Sequence, residues 1–374
     1  MRILMTTDVA GGVWSYTEEL VDGLLGRGHE VSLVIVGGRP GPSHERWLAR
    51  RPGVAVTVLP CPLEWLPEPE PGLSASVERL RRVVREAAPD VVHLNQFYYG
   101  AFDLGAPTLV AAHSDLVSWW RAVKGEEPPD DAWFGRYRRW VRDGLRGAGA
   151  RVAPSAWLAE RVRETYGSGP VRVVHNARSP QRFRGRRRGP RLPLVVTAGR
   201  LWDEGKGARD LIPAAARLGD RTRVVVAGPV EHPAGGEDFP ADAPGVEWVG
   251  TLDHEALRLL LARAQVYAAP SRYEPFGLAP LEAALTGCAL VLSDIPTFRE
   301  LWHGCALFHP PCDADALAEA VLELLGDGAR REALAAAAKA RALERFTPER
   351  MAADYEALYL ELVGGAPPRP TPAA

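Results

Sequence analysis

Lysine is almost absent from this sequence of 374 residues, although basic residues as a group are not. Only Lys124, Lys206 and Lys339 are lysines among the 45 basic residues, which leaves 42 arginines. The 47 acidic residues bring the net charge to −2, so no global positive field predicts nucleic acid as a partner. Because lysine is so rare, each of the three is a position of interest.

Cysteine and long apolar segments are also scarce. The four cysteines form no Cys-x-x-Cys pair, which argues against a zinc site or a disulfide framework and predicts buried thiols. No segment has the about 20 apolar residues of a membrane helix or the about 7–15 of a signal peptide. We therefore expect a cytoplasmic protein, or at most one peripheral to a membrane.

Short β-branched runs alternate with helix-like stretches, a pattern typical of α/β proteins with parallel sheets covered by helices. The predicted strands are Arg2–Thr7, Glu30–Val36, Val54–Leu59, Asp90–Leu94, Thr108–Ala112, Val171–His175, Leu194–Ala198, Arg223–Ala227, Val246–Val249, Gln265–Ala269 and Ala289–Leu292. The predicted helices of the first half are Ser15–Arg27, Ala75–Ala87, Trp133–Arg146 and Ala156–Tyr166.

A short basic cluster with flanking glycine and proline, residues 178–190, divides the chain and predicts a solvated linker. It separates Rossmann-like domains over residues 1–177 and 191–346. A capped, apolar-striped helix over 347–363 and a flexible tail over 364–374 follow. Ligands bind open α/β sheets at the carboxyl ends of the strands, so two facing sheets predict a cleft.

Two glycines, Gly11 and Gly12, lie in the segment that directly follows the first predicted strand and precedes a helix. Glycines at such a position let the backbone approach a ligand, and the free N–H groups of a helix start attract anions. The segment does not match the Gly-x-Gly-x-x-Gly fingerprint. Taken alone, it fits a tight turn equally well.

A second loop, Gly199–Gly207, follows the strand that opens the second domain and carries Arg200 and Lys206. Arginine binds phosphate oxygens bidentately and lysine acts as a point charge, so the loop predicts a phosphate site. The alternative is a solvated loop in which Lys206 pairs with Asp203 or Glu204.

A third segment has glutamates at 274 and 282 on either side of Pro-Phe-Gly-Leu, after a predicted strand that ends at Ala269. The amides of Phe276, Gly277 and Leu278, at a helix start, would form an anion site. Glu282, about one turn inside that helix, can accept two hydrogen bonds from a ribose diol. Alternatively, Glu274 is an exposed loop residue and Glu282 a helix-surface residue favoured by the helix dipole.

The Glu274-x7-Glu282 pattern resembles the signature of family four of the retaining glycosyltransferases. The resemblance implies the GT-B fold, in which two Rossmann-like domains have parallel sheets that face each other across a cleft. The other segments similar to the family are Arg27–Val31, Pro89–His93, Gly199–Leu201 with Lys206-Gly207, and Ser293–Pro296 with Glu300.

The resemblance implies transfer of a sugar from a nucleotide-diphosphate sugar, bound by the C-terminal domain, to a hydroxyl acceptor on the N-terminal side. It gives the catalytic residues as His113, Glu274, Arg200 and Lys206, with His113 matching the family's active-site histidine. It gives the donor-binding residues as Gly11, Gly12, Arg200, Lys206, Glu274, Phe276, Gly277, Leu278 and Glu282. Arg200 and Lys206 would neutralise the leaving diphosphate, and Glu282 would bind the ribose.

No cofactor and no metal are expected. Asp313-x-Asp315 resembles a metal motif, but Asp313 precedes an apolar helical pattern and is better explained as an N-cap. No second carboxylate can be assigned as a nucleophile, so we expect a front-face mechanism. One departure from the family is the loop Trp202–Gly205, which has four residues where the family usually has three.

Two other functions are compatible with these motifs: a nucleotide-sugar epimerase or hydrolase of the same fold, and a non-catalytic nucleotide-sugar-binding protein. The acceptor is not specified by the sequence. Tryptophan- and arginine-rich segments at 119–121 and 133–151 fit a sugar-stacking platform, a membrane-surface helix or ordinary aromatic packing. Nearby acidic residues weaken the membrane interpretation.

Overall fold

The computed structural model describes residues 1–9, 11–66, 68–183, 189–232, 235 and 239–364. In its first half, seven parallel strands form one sheet. These strands are β1 (Arg2–Asp8), β2 (Glu30–Val36), β3 (Ala55–Val58), β4 (Val91–Leu94), β5 (Thr108–Ala111), β6 (Ala150–Ala153) and β7 (Arg172–Val173). Their order across the sheet is β3-β2-β1-β4-β5-β6-β7.

Helices cover both faces of this first sheet. They are α1 (Gly12–Gly26), α2 (Pro42–Ala49), α3 (Gly72–Ala87), α4 (Leu116–Lys124), α5 (Ala132–Gly147) and α6 (Ala156–Tyr166), and a short α7 (Pro180–Phe183) follows β7. Side chains alternate between the two faces of β1: Leu4 belongs to one apolar cluster, and Ile3 and Met5 to the other. Residues 3–5 of the strand are therefore apolar on both faces, as expected for a sheet buried on both sides.

Six parallel strands form the second sheet. They are β8 (Leu192–Ala198), β9 (Arg223–Ala227), β10 (Val246–Trp248), β11 (Ala264–Ala269), β12 (Ala289–Ser293) and β13 (Ala306–His309), in the order β10-β9-β8-β11-β12-β13. The later helices are α8 (Leu211–Leu218), α9 (His254–Arg263), α10 (Leu278–Thr286), α11 (Pro296–Trp302), α12 (Ala314–Gly326), α13 (Gly328–Arg345) and α14 (Pro348–Gly364).

The strand order reverses direction once in each sheet, between β1 and β4 and between β8 and β11. In open α/β sheets, such a switch point opens a crevice at the carboxyl ends of the strands. The loops that leave β1 and β8 at these points contain Gly11 and Arg200, respectively.

The last helix, α14, packs on the first sheet rather than on the second. Its residues Tyr355 and Tyr359 belong to the apolar cluster that contains Ile3 of β1. The crossing with α1 is close, because a Cβ added to Gly23 would lie 2.7 Å from the Cβ of Ala352. Glycine at position 23 is therefore what lets the two helices approach.

Three details differ from the sequence-based expectations. Strands β6 and β13 and helices α2, α4 and α7 were not predicted. Cys312 is exposed, whereas the other three cysteines are buried as expected. The predicted linker is not solvated where it begins: Arg178 is 0% exposed, because it pairs with acidic side chains of both domains.

Residues 184–188 of the predicted linker and 365–374 of the predicted tail lie outside the described part of the chain. Among the helices that the structure describes, none has the length and apolar character needed to cross a membrane.

Candidate active site

A cavity of about 600 Å³ lies between the carboxyl edges of the two sheets. The first domain contributes Asp8, the last residue of β1, and Asn95 and His113, after β4 and β5. The second domain contributes Arg200 and Trp202 from the loop after β8. The cavity therefore lies at the carboxyl edges of the sheets, where the strand order reverses.

Two loops of the second domain are bonded to each other at this edge. The backbone N–H groups of Arg272 and Tyr273 donate to the carbonyl of Gly205, at 2.9 and 3.0 Å. Next to them, Gly207 has a φ of 62°, and a Cβ there would lie only 2.0 Å from the carbonyl oxygen of Pro270. Only glycine allows this approach, which brings the loop of Arg200 and Lys206 against the loop of Glu274.

Lys206 and Glu274 form an ion pair across these loops, with 2.5 Å between Nζ and Oε2. The solvated-loop alternative, with Lys206 paired to Asp203 or Glu204, is therefore wrong. Asp203 instead accepts a bond from Arg200 at 2.8 Å, and Glu204 pairs with Lys124. With the four-residue loop Trp202–Gly205, Lys206 lies beside Glu274.

Asp203 was not singled out in the sequence, yet it connects the two domains. Its Oδ1 accepts a hydrogen bond from the indole N–H of Trp119, on α4 of the first domain, at 3.0 Å. Burial favours a raised pKa for Asp203, but the charges of Arg200 and Lys206, with the hydrogen bonds, hold the pKa below its ordinary value. Asp203 is therefore an ionised anchor between the cation loop and the facing domain.

The first turn of α10 faces Gly11 and Gly12 of the first domain, which together are called the glycine loop below. A Cβ at Gly12 would lie 3.4 Å from Cδ1 of Leu278, and one at Gly11 would lie 3.5 Å from Nη1 of Arg200. The cap of α10 is Gly277, and the first amides of a helix have no acceptor within the helix. The structure thus brings Gly11, Gly12, Arg200 and Leu278 together.

Glu282 is buried rather than on the helix surface. It is 5% exposed and forms an ion pair with Arg178, with 2.8 Å between Oε1 and Nε. Arg178 also pairs with Glu19 of α1 at 3.1 Å and donates to Nδ1 of His254 at 3.1 Å. Burial raises the pKa of Glu19 despite the nearby arginines. No local sequence pattern indicates Arg178 as a site neighbour.

His113 is oriented by Asn95, another residue that the sequence analysis did not single out. The amide nitrogen of Asn95 donates to the carbonyl of Thr6 at 2.7 Å, so its Oδ1 is the acceptor. His113 Nε2 donates to that oxygen at 2.7 Å. The tautomer is thereby fixed with its other nitrogen, Nδ1, as the acceptor.

A second histidine continues this network toward the last helix. His93 Nε2 lies 3.2 Å from Asn95 Oδ1, and His93 Nδ1 lies 2.6 Å from the hydroxyl of Tyr359 in α14. Burial lowers the pKa of His113 to about 4, and burial with the neighbouring His113 lowers that of His93 to about 3. Both imidazoles are therefore neutral near pH 7.

These lowered pKa values predict a pH dependence of stability. An unfolded histidine binds a proton below about pH 6.5, whereas folded His93 and His113 do not until about pH 3–4. The free energy of unfolding therefore decreases as the pH falls through this window, by about 1.4 kcal/mol per pH unit for each histidine. His93→Gln should reduce the slope between pH 4 and 6 by one such contribution, measured by urea unfolding.

The matched control is His303→Gln, because His303 is exposed on the second domain. It should leave the slope unchanged. An unaltered slope in His93→Gln would contradict the assignment of a neutral buried imidazole.

Of the tryptophan-rich segments, 119–121 lies in α4 and 133–151 runs from α5 into the start of β6, and Trp119, Trp120 and Trp133 line the cavity. Asp313, from the metal-like motif, caps α12 by accepting from the N–H of Ala316 at 2.9 Å. No cluster of three or more metal-ligating side chains occurs among the described residues.

Comparison with known families matches both halves of the chain. The model of Glycosyltransferase Family 4 matches residues 10–182, and that of Glycosyl transferases group 1 matches residues 192–327. Glycogen synthase of Mycobacterium tuberculosis is 31% identical over 310 residues, covering 74% of this chain and 70% of that protein. Phosphatidyl-myo-inositol mannosyltransferase of Mycobacterium leprae is 26% identical over 355 residues, covering 91% and 90%.

Solved structures share the fold along almost the whole length. Sucrose-phosphate synthase from Thermosynechococcus elongatus superposes with a TM-score of 0.78 at 20% identity, covering 98% of this chain and 100% of that one. Anabaena HepE in complex with UDP-glucose superposes with a TM-score of 0.74 at 18% identity, covering 96% and 99%. The common fold is GT-B, as the sequence predicted.

Proposed function

The chain belongs to glycosyltransferase family 4, and from this premise we propose that it transfers a sugar from a nucleotide-diphosphate sugar with retention of configuration and without a metal. That it is a glycosyltransferase follows from its relatives. The observation that carries the finer proposal is that Arg200 and Leu278, the first residue of α10, lie against the adjacent glycines Gly11 and Gly12. Cations and free helix amides at one point form a site for an anion such as a diphosphate.

The proposed step develops negative charge on the diphosphate. An acceptor hydroxyl oxygen bonds to the anomeric carbon, the bond from that carbon to the diphosphate oxygen breaks, and the hydroxyl proton passes to the departing diphosphate. Arg200 and Lys206 stabilise the growing charge more than they stabilise the bound donor, which is what accelerates the step.

The two glutamates have different proposed roles. Glu282 binds the hydroxyls of the nucleotide ribose, a role supported by its position one turn into α10. Glu274 contacts the donor sugar and orients Lys206, to which it is paired. His113, with Nδ1 as an acceptor, receives a hydrogen bond from a hydroxyl of the donor sugar.

Release of nucleoside diphosphate tests the proposal. UDP-glucose, GDP-mannose and ADP-glucose are each incubated with the full chain, with and without a panel of hydroxyl acceptors. We expect release from one donor to rise when an acceptor is present, and the product to keep the donor's anomeric configuration by NMR. Release that is equal with and without acceptors would favour a hydrolase or epimerase.

The same assay tests the metal requirement. Activity is expected to persist in EDTA, because Arg200 and Lys206 supply the positive charge at the diphosphate. Complete loss in EDTA that Mg²⁺ or Mn²⁺ restores would refute metal-independent transfer.

A further inference from the structure

The cavity has an aromatic wall that the proposed donor site does not use. Trp65, Trp119, Trp120 and Trp133 line it from the first domain. Each is only half-buried. Trp133 is parallel to the ring of Tyr137, with 5.7 Å between their centroids, so its position is fixed by packing. Flat, rigid aromatic surfaces of this kind pack against ligands with apolar faces.

Polar atoms without partners accompany these rings. Gln96 and Asp115 line the cavity and are 5% and 1% exposed, yet Gln96 Oε1 and Asp115 Oδ2 have no hydrogen-bond partner in the described structure. The indole N–H groups of Trp120 and Trp133 also have none there. Buried polar groups are rarely left unsatisfied, so these buried, unpartnered acceptors and donors in cavity-lining residues favour a ligand rich in hydroxyls.

The charges of the cavity-lining residues restrict the class of ligand further. Of the cavity-lining residues that the structure describes, Arg200 is the only lysine or arginine, and it is paired with Asp203. Acidic residues are more numerous and include Asp8, Asp115 and Asp131. A phosphorylated acceptor would lie among like charges with no cation of its own.

We infer that the acceptor is a neutral saccharide, whose ring packs on the tryptophan wall and whose hydroxyls bond to Gln96 and Asp115. This inference rests on the proposed function, because the saccharide hydroxyl is the group that attacks the anomeric carbon of the donor. Its proton leaves with the diphosphate, so no further reactant is required. The cavity volume of about 600 Å³ is in the range of small-molecule sites.

Tryptophan fluorescence tests the inference, because a saccharide that packs on the tryptophan wall changes the emission of those tryptophans. The full chain is titrated, without donor, with maltotriose, mannotriose, α-glucose 1-phosphate and phosphatidylinositol vesicles. We expect a saturable change with at least one neutral trisaccharide and weaker binding of both phosphorylated probes. Trp133→Ala should weaken saccharide binding about tenfold, or ~1.4 kcal/mol.

Trp65→Ala, from a different part of the wall, should also weaken binding if Trp133→Ala does not fold. Trp248→Ala is the matched control, because Trp248 lies on β10 of the second domain and is 39% exposed. It should leave saccharide affinity unchanged. Tighter binding of a phosphorylated probe, no binding of either trisaccharide, or affinity unchanged in both wall variants would overturn the inference.

Measurements of nucleotide binding distinguish a failure of the saccharide inference from a failure of the proposed glycosyltransferase function. UDP, GDP and ADP are added singly in thermal-shift measurements on the same preparations. A nucleotide that binds while no saccharide does would refute the neutral acceptor and keep the donor site. Saccharide binding with no nucleotide bound would leave the saccharide site supported and count against the donor proposal.

Discussion

Replacing Arg200 by alanine is expected to lower turnover by about 10²–10³-fold, with a much smaller change in donor affinity. The guanidinium is aligned by Asp203 at 2.8 Å and lies against the glycine loop of the facing domain. A cation fixed before the reaction stabilises the diphosphate most when its charge is greatest, at bond breaking. Steady-state kinetics with the active donor separate kcat from KM.

Arg263→Ala is the matched control, since Arg263 is exposed at the end of α9, away from the cavity lining. It should behave as wild type. If Arg200→Ala raised KM and left kcat unchanged, the contact would be equally strong in the ground and transition states, and the proposed role would be wrong.

Arg178→Ala is expected to reduce the free energy of unfolding by about 3–5 kcal/mol. The substitution removes the arginine partner of Glu282 and one of the two arginine partners of Glu19, whose side chains are 7% and 1% exposed. Uncompensated buried charges cost far more than an exposed ion pair contributes. Urea unfolding, followed by fluorescence, measures the loss.

Arg172→Ala is the corresponding surface control, because Arg172 and Glu361 pair at 3.5 Å with both side chains about 60% exposed. It should leave stability nearly unchanged. A loss below about 1 kcal/mol for Arg178→Ala would contradict the buried-network interpretation. Because Glu282 is the proposed ribose ligand, Arg178→Ala should also weaken nucleotide binding.

The parallel sheets were predictable because their long central strands are apolar on both faces, as Leu194–Ala198 shows. Strands β6 and β13 were missed because they contain few of the β-branched residues that favour strands: β6 has one, Val152, and β13 has none. These two strands form where neighbours already in the sheet offer backbone partners, β5 and β12. That is a tertiary effect which local sequence does not carry.

The residues of the candidate site also fall into two groups, those that local sequence predicts and those that depend on tertiary contacts. Arg200, Lys206 and Glu274 were found because glycine-containing loops at strand ends have a recognisable local pattern, and their roles stay predictions. Asp203 was considered only as a partner of Lys206, because its contact with Trp119 joins residues 84 positions apart. Asn95 had a signal that was not used: it is a polar residue directly after a buried strand, β4.

The packing of α14 on the first sheet has a consequence for biosynthesis. The first domain's other segments end near Ala177, but its core also needs Met351, Tyr355 and Tyr359. At ~5–20 residues per second, a ribosome takes roughly 9–35 s to add the intervening residues. During that time the nascent first domain exposes the apolar surface that α14 later covers. The first domain therefore completes its core only after the residues of the second domain have been synthesised.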